Sequence, residues 1–288
     1  MNLQSPPIRC GPASVCPFEE PEPIRAVRLV RPMRGGAQSV LVECTDGAQY
    51  VVKSLNNPQG PHVLFNEALG TELMRALGLP VAPWKPVLLT SSLLTSTPEF
   101  ELETSRGRVP RAPGLYFGSL YMVLENSIAH EIIPSGWLKR VVGRERFLRA
   151  LVLDLWVCNR DQRQALFLPT APGPGAPLQP VFLDNGHMFG GPEWGFRDQI
   201  TKSMYGDLSV YAGLLHESAI QSAVNEVLNI SVSDVVQSLC SIPHEWLPAQ
   251  GRCFEMLDRL FARQPQLPAL VEDAIDFLRA RLAKRQGY

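Results

Sequence analysis

The sequence predicts an α+β chain with two unlike halves: a small β-rich half followed by a mostly helical one. Three observations carry this. Val-rich or alternating runs separated by Gly and Asp-Gly turns fill residues 24–54. A single long helical stripe follows them. After Pro134 the pattern turns helical almost to the end, broken mainly by two short apolar runs.

The elements follow in order. Residues 1–22, rich in Pro and small residues with an acidic cluster at Glu19, Glu20 and Glu22, read as a loose tail. Ile24–Met33, Ser39–Cys44 and Gln49–Ser54 read as three strands. Gly35-Gly36 parts the first pair. Asp46-Gly47 parts the second and marks a hairpin, so the three form an antiparallel meander. Pro61 suits the first turn of a helix whose stripe is Phe65, Leu69, Leu73, Ala76 and Leu77, and Gly78 with Pro80 ends it. Pro83 to Thr90 is extended, and 91–113 is a polar loop or hairpin insertion. Leu115–Leu124 and Ile128–Ile133 are further strand candidates. Phe147 to Val157, apolar almost all round, predicts a buried central helix. Ala165–Leu168 and Val181–Leu183 are short strands joined by a Pro/Gly/Ala loop. The division is therefore a tail at 1–22, a first lobe at 23–133 and a helical lobe at 134–288, with a cleft between lobes as the place for chemistry.

Composition narrows the classes. A length of 288 residues with 45% hydrophobic and 19% charged residues is ordinary globular material. The net charge of −1 calls for neither nucleic acid nor an anionic membrane surface. The six cysteines form no CxxC pair, which argues against zinc, and their scatter predicts free thiols. No apolar stretch is long enough for a membrane span. The expectation is a cytoplasmic protein.

Lys53 closes the third strand, where an ammonium can face a cleft and hold phosphate oxygens. Taken alone it is also an ordinary strand-end lysine. Glu67, at the edge of the helical stripe, can pair with Lys53 or face solvent. Gly35-Gly36 can bring backbone N–H groups near phosphate, or simply turn a hairpin. Asp161 follows the buried helix, and Asp184 follows a short strand. Two carboxylates at the ends of adjacent elements can converge, one on Mg2+ and one on an attacking hydroxyl; each also reads as an ordinary turn aspartate. Asp154, inside the buried helix, reads as a structural carboxylate holding the loop after Val157. His187 reads as a loop histidine.

Together these residues resemble the HipA-like kinases, a branch of the protein-kinase-like and phosphatidylinositol-kinase-like fold. The resemblance rests on Met33 to Ser39, on Tyr50 to Lys53 with Asn56 to Gly60, Asn66-Glu67 and Leu77 to Pro80, and on Asp154 to Trp156, Asn159 to Asp161, Arg163-Gln164 and Phe182 to His187. It implies ATP and Mg2+ as cofactors. It implies that Lys53 holds the nucleotide phosphates with Glu67 as partner, that Gly35, Gly36, Gln38 and Ser39 belong to the phosphate loop, and that Ile128–Pro134 contacts adenine. Asp161 takes the place of the catalytic aspartate and Asp184 that of the metal aspartate. Leu166 stands where such a site has its metal-binding Asn, five residues after the catalytic aspartate; Gln164 or Asn185 are the substitutes to consider. Two activities follow: γ-phosphoryl transfer to an unnamed acceptor, with a protein Ser or Thr hydroxyl as one candidate, or a pseudokinase-like module that binds nucleotide without transfer. Nucleotidyl transfer is a third. No antitoxin partner or DNA contact is indicated.

Overall fold

A computed structural model of the chain describes residues 22–33, 35–122 and 129–286. The tail expected at 1–22 falls almost entirely outside these residues.

The first half is a five-stranded barrel. β1 (Ile24–Pro32), β2 (Val40–Cys44) and β3 (Gln49–Lys53) form the expected antiparallel meander, with Val42 opposite Tyr50 and Val40 opposite Val52. Gly47, at φ 78°, makes the Asp-Gly turn in a conformation few other residues adopt readily. β3 then pairs with β7 (Gly114–Leu120), which pairs with β4 (Trp84–Leu89). A short parallel contact, Ile24 with Val87 and Arg25 with Leu88, closes the ring. Closure leaves no free sheet edge. Val40, Val42, Tyr50, Val52, Val87, Leu89 and Tyr116 fill the barrel.

Between β4 and β7 the chain makes α2 (Ser91–Thr95) and a small hairpin of β5 (Leu102–Thr104) and β6 (Gly107–Val109), the insertion expected at 91–113. β7 ends at Leu120, earlier than the strand expected to reach Leu124, and Leu124 itself lies outside the described residues. The strand expected at Ile128–Ile133 is not present among the described residues: His130 alone bridges to Phe167, and Ile128 is outside them.

α1 (Val63–Ala76) opens two residues after Pro61 and ends on Gly78. Gly78, at φ 65°, donates to the Arg75 carbonyl and Leu79 to that of Met74, the paired bonds of a glycine-terminated helix. The apolar face of α1 does not pack into the barrel. Leu64, Phe65, Ala68, Leu69, Leu73 and Met74 join the core of the helical half, so this helix ties the two halves together.

The helical half is built on α3 (Glu145–Trp156), buried as expected along Phe147, Leu148 and Ala150–Trp156. Its C-terminal carbonyls are taken by Arg263, whose guanidinium binds the Leu155 and Trp156 oxygens at 2.8 Å each and pairs with Asp198. The hairpin of β8 (Gln164–Pro169) and β9 (Leu178–Leu183) follows. Then come α4 (Glu217–Leu228), α5 (Val232–Leu239), α6 (Gln250–Ala262) and α7 (Leu267–Gln286). Cys44, Cys158 and Cys253 are free thiols, as expected, whereas Cys240 is disulfide-bonded, against that expectation. No helix among the described residues is long and apolar enough to cross a membrane.

Candidate active site

A cavity of about 430 Å3 opens between the barrel and the β8–β9 hairpin, a size suited to a small-molecule ligand. Lys53, Ser39, Glu67, Gln164, Asp184 and Asn185 line it, with Met33, Phe117, Leu166 and Phe182 as apolar walls and Ala129 and Glu131 at one side. Residues far apart in sequence meet here because β3 and the β8–β9 hairpin both end at this point and α1 passes beside them at Glu67 and Thr71.

Lys53 reaches from the last position of β3. Its Nζ donates to Glu67 Oε1 and, at 2.8 Å, to Asp184 Oδ1. Burial works against the ammonium, but the carboxylates of Asp184 and Glu67 outweigh it and hold its pKa above the ordinary lysine value. Asp184 is the mirror case. Burial favours its neutral form, yet Lys53 beside it brings the carboxyl down to about 2. Glu67 is almost completely enclosed and is pushed up by burial, against the pull of Lys53. It is still well provided with donors: besides Lys53, the backbone N–H groups of Asn185 (3.1 Å) and Gly186 (2.7 Å) point at it. A solvent-facing glutamate is thereby excluded. A Cβ at Gly186 would stand 2.9 Å from Glu67 Oε1, so glycine lets this backbone approach the carboxylate.

Asp184 occupies the left-handed backbone region, φ 61°, which aspartate tolerates better than most residues. Two neighbours hold it there. Gln164 Nε2 donates to its Oδ2 at 3.0 Å, and Arg163 donates to its carbonyl at 3.3 Å. Arg163 is the hub behind the site. Its guanidinium forks onto Asp154 (2.6 and 2.8 Å) and reaches the Leu183 carbonyl (2.7 Å) and Asn185 Oδ1 (2.9 Å). Asp154 also accepts from Asn159 Nδ2 at 3.1 Å. The structural role expected of Asp154 is thus realised through Arg163, a residue with no singled-out role in the sequence reading. Part of the signal for it was present: a buried carboxylate at 154 demands a cation, and the segment beyond the helix end offers two arginines, Arg160 and Arg163.

Asn66 is the second residue that sequence reasoning underused. Fully buried, it donates to the carbonyls of Gly186 (2.9 Å) and Met188 (3.0 Å) and accepts from Trp194 Nε1 (2.9 Å). Asn66 and Glu67 together fasten the 184–194 segment to α1.

Other expected residues fall differently. Asn185 lines the cavity, but its Oδ1 accepts from Arg163 and its Nδ2 donates to Thr71 at 2.9 Å, so its amide braces the loop. The Gln38 side chain is engaged within the first lobe. Both ends of its amide are bound to the backbone of Glu103, at 2.7 Å each. Gly35 and Gly36 turn the β1–β2 loop but do not line the cavity, whereas Ser39 does. Asp161 does not line it either; its Oδ1 accepts the Gln162 N–H at 2.8 Å just outside. His187 contributes its carbonyl to Arg160, and its Nε2 is buried without a partner among the described residues.

A cation-holding role fits Asp184, an ionised carboxylate, with the Gln164 amide beside it donating from Nε2 to that carboxylate; Leu166 offers no ligand. Among the described residues no cluster of three His, Cys, Asp or Glu side chains forms a cage of its own.

The fold is that of the protein-kinase-like proteins. The chain is similar to the crystal structure of the Golgi casein kinase, at TM-score 0.54 and 12% identity over 92% of this chain and 74% of that one. It is similar to the same kind of kinase with Mn/ADP bound, at 0.53 and 12% over 90% and 73%. A Helicobacter pylori proinflammatory kinase, CtkA, matches at TM-score 0.56 and 11% identity, over 88% of this chain and 99% of that one. Residues 26–166 match the family model described as HipA-like kinase, so the chain carries a HipA-like kinase region from β1 into β8. No curated protein matches the chain in sequence.

Proposed function

We propose that the chain is an ATP-dependent phosphotransferase that transfers the γ-phosphoryl group to a hydroxyl acceptor. The observation that carries this is the convergence of Lys53, Glu67 and Asp184 at the mouth of the cleft. A lysine on the third strand paired with a glutamate on the following helix, facing a metal aspartate, is the arrangement a kinase uses to hold nucleotide phosphates. The Mn/ADP complex of a structural neighbour is in keeping with a nucleotide and a divalent cation.

In this reading Lys53 leaves Asp184 and takes phosphate oxygens, while Glu67 keeps its ammonium in place. Asp184, with Gln164, holds the cation; a bound Mg2+ would neutralise charge on the phosphates. Asp161 accepts the proton of the acceptor hydroxyl. The hydroxyl oxygen bonds to the γ-phosphorus, the bond to the β–γ bridging oxygen breaks, and ADP leaves. Positioning and charge neutralisation supply most of the acceleration.

Leu166 favours one alternative, a module that binds nucleotide without efficient transfer, because it removes a cation ligand such sites ordinarily have. Purified protein with Mg2+ and γ-labelled ATP separates the two. Transfer that falls about 100-fold or more in Asp161→Ala and Asp184→Ala supports the phosphotransferase. Labelled-nucleotide binding with no transferred label in the wild type supports the alternative. Mass spectrometry of the product separates an added phosphoryl from an added nucleotidyl group.

A further inference from the structure

A second cavity, about 600 Å3, is lined in part by Gln162, the residue that follows Asp161. Gln162 and Gln164 are both exposed and flank the buried Arg163. In extended chain, residues two apart project to the same side. Gln164 lines the nucleotide cleft and Gln162 lines the second cavity. The two spaces therefore open along one short segment, and the carboxylate of Asp161 accepts the N–H of Gln162 at the start of that segment.

The other walls are Thr201, Met204, Tyr205, Gly206 and Leu208, and one face of α7. The 203–206 segment is fixed against the catalytic segment by the Arg163 N–H on the Met204 carbonyl, at 3.2 Å, and by the Arg163–Tyr205 bridge. Phe277, Arg281 and Lys284 recur at four- and three-residue spacing, which puts them on one side of the helix. Arg281 lies over the Phe277 ring at 5.2 Å. Neither Arg281 nor Lys284 makes an ion pair among the described residues, and no carboxylate lines this cavity. Asp207, next to the wall in sequence, accepts at Oδ1 from the Ser209 N–H and hydroxyl, at 3.1 and 2.7 Å, and after burial its charge helps to hold the pKa of the Tyr205 hydroxyl up.

We infer that this cavity is the acceptor site and that it recognises an acidic peptide, whose hydroxyl residue sits at Asp161 while its carboxylates meet Arg281 and Lys284. The inference rests on the phosphotransferase reading for what happens to the hydroxyl, but the recognition itself does not need turnover. Two cations with no ion pair among the described residues, over a cavity whose lining holds no carboxylate, give charge complementarity for an anionic segment, and such complementarity sets specificity. Basic residues in the last turns of α7 also suit the helix dipole, so the test reads binding rather than stability.

The test uses the full chain and two fluorescent Ser-centred peptides, one flanked by glutamates and one by lysines. Binding is followed by anisotropy, and a labelled ADP with Mg2+ reports the nucleotide cleft in parallel. The Glu-flanked peptide is expected to bind about tenfold more tightly at low salt, an advantage that shrinks as salt screens it. The double variant Arg281→Glu with Lys284→Glu is expected to abolish or reverse that preference without changing nucleotide affinity. Arg281→Lys is expected to retain it. Equal binding of the two peptides, no binding of either, or a preference that survives the double reversal overturns the acceptor assignment. Peptide preference with no phosphate transfer would leave the recognition of an acidic peptide standing and overturn both its role as acceptor and the phosphotransferase reading.

Discussion

Two ionic clusters lie close together behind the cleft, and they are built oppositely. Asp154 and Arg163 are almost wholly sealed, at 0% and 1% side-chain exposure, and every arm of the guanidinium is committed to protein. Lys53, Glu67 and Asp184 form a graded cluster: Glu67 is sealed, Lys53 nearly so, and Asp184 is a quarter exposed toward the cavity. The first cluster has nothing left to offer a ligand. The second holds an ammonium between two carboxylates, one of which can exchange it for a cation. A saturated buried pair is architecture, while a charge held at a cavity wall with a replaceable partner is chemistry.

The comparison can be broken most forcefully at Arg163. Arg163→Met strands the Asp154 carboxylate in the core, and urea unfolding is expected to show a loss of about 3–5 kcal/mol. A loss under about 1 kcal/mol would mean that the sealed pair is not architectural. Next in size is Asp184→Asn, expected to lower phosphoryl transfer about 100-fold with a small change in melting temperature. A variant that melts early while retaining its rate per folded molecule would put Asp184 in the structural class instead. Lys53→Met is expected to weaken labelled-ADP binding about tenfold, read by equilibrium titration. It should still fold, because burial already favours the neutral form of Glu67. Unfolding of Lys53→Met would show that the cleft cluster is as structural as the sealed one.

The smallest effect is on acid stability. Asp184 has its pKa depressed from 3.8 to about 2 in the folded chain. A depressed carboxylate adds stability that is complete above its unfolded value and is lost as pH falls through the folded one. The Asp184 contribution should therefore fade between about pH 4 and pH 2, and this part of the acid titration should flatten in Lys53→Met. An identical acid profile in both proteins would remove Lys53 as the cause.

Much of the site was legible because it lies at element ends. Lys53 closes an alternating strand, Asp161 follows an apolar helix, and Asp184 follows a short apolar strand; periodicity marks such places. The partners of Gln38 and Asn185 were not legible, for one reason. Their side-chain amides bind protein groups many residues away, Glu103 and the pair of Arg163 and Thr71. An amide has donors and acceptors for either partner, and spacing along the chain does not say which it meets. The second cavity was equally hidden, since Gln162, Tyr205 and Arg281 come from three distant stretches.

By itself the sequence determined the α+β division, the strand meander, α1, the buried α3 and the candidate residues Lys53, Glu67, Asp161 and Asp184, because period and turn chemistry are local. Only the tertiary structure decided that β1 meets β4 to close a barrel, that α1 packs into the helical half, that Arg163 carries Asp154, and which carboxylate faces the cleft. Those outcomes depend on partners brought together by folding, and desolvation and charge pairing acquire their values only once the partners are in place.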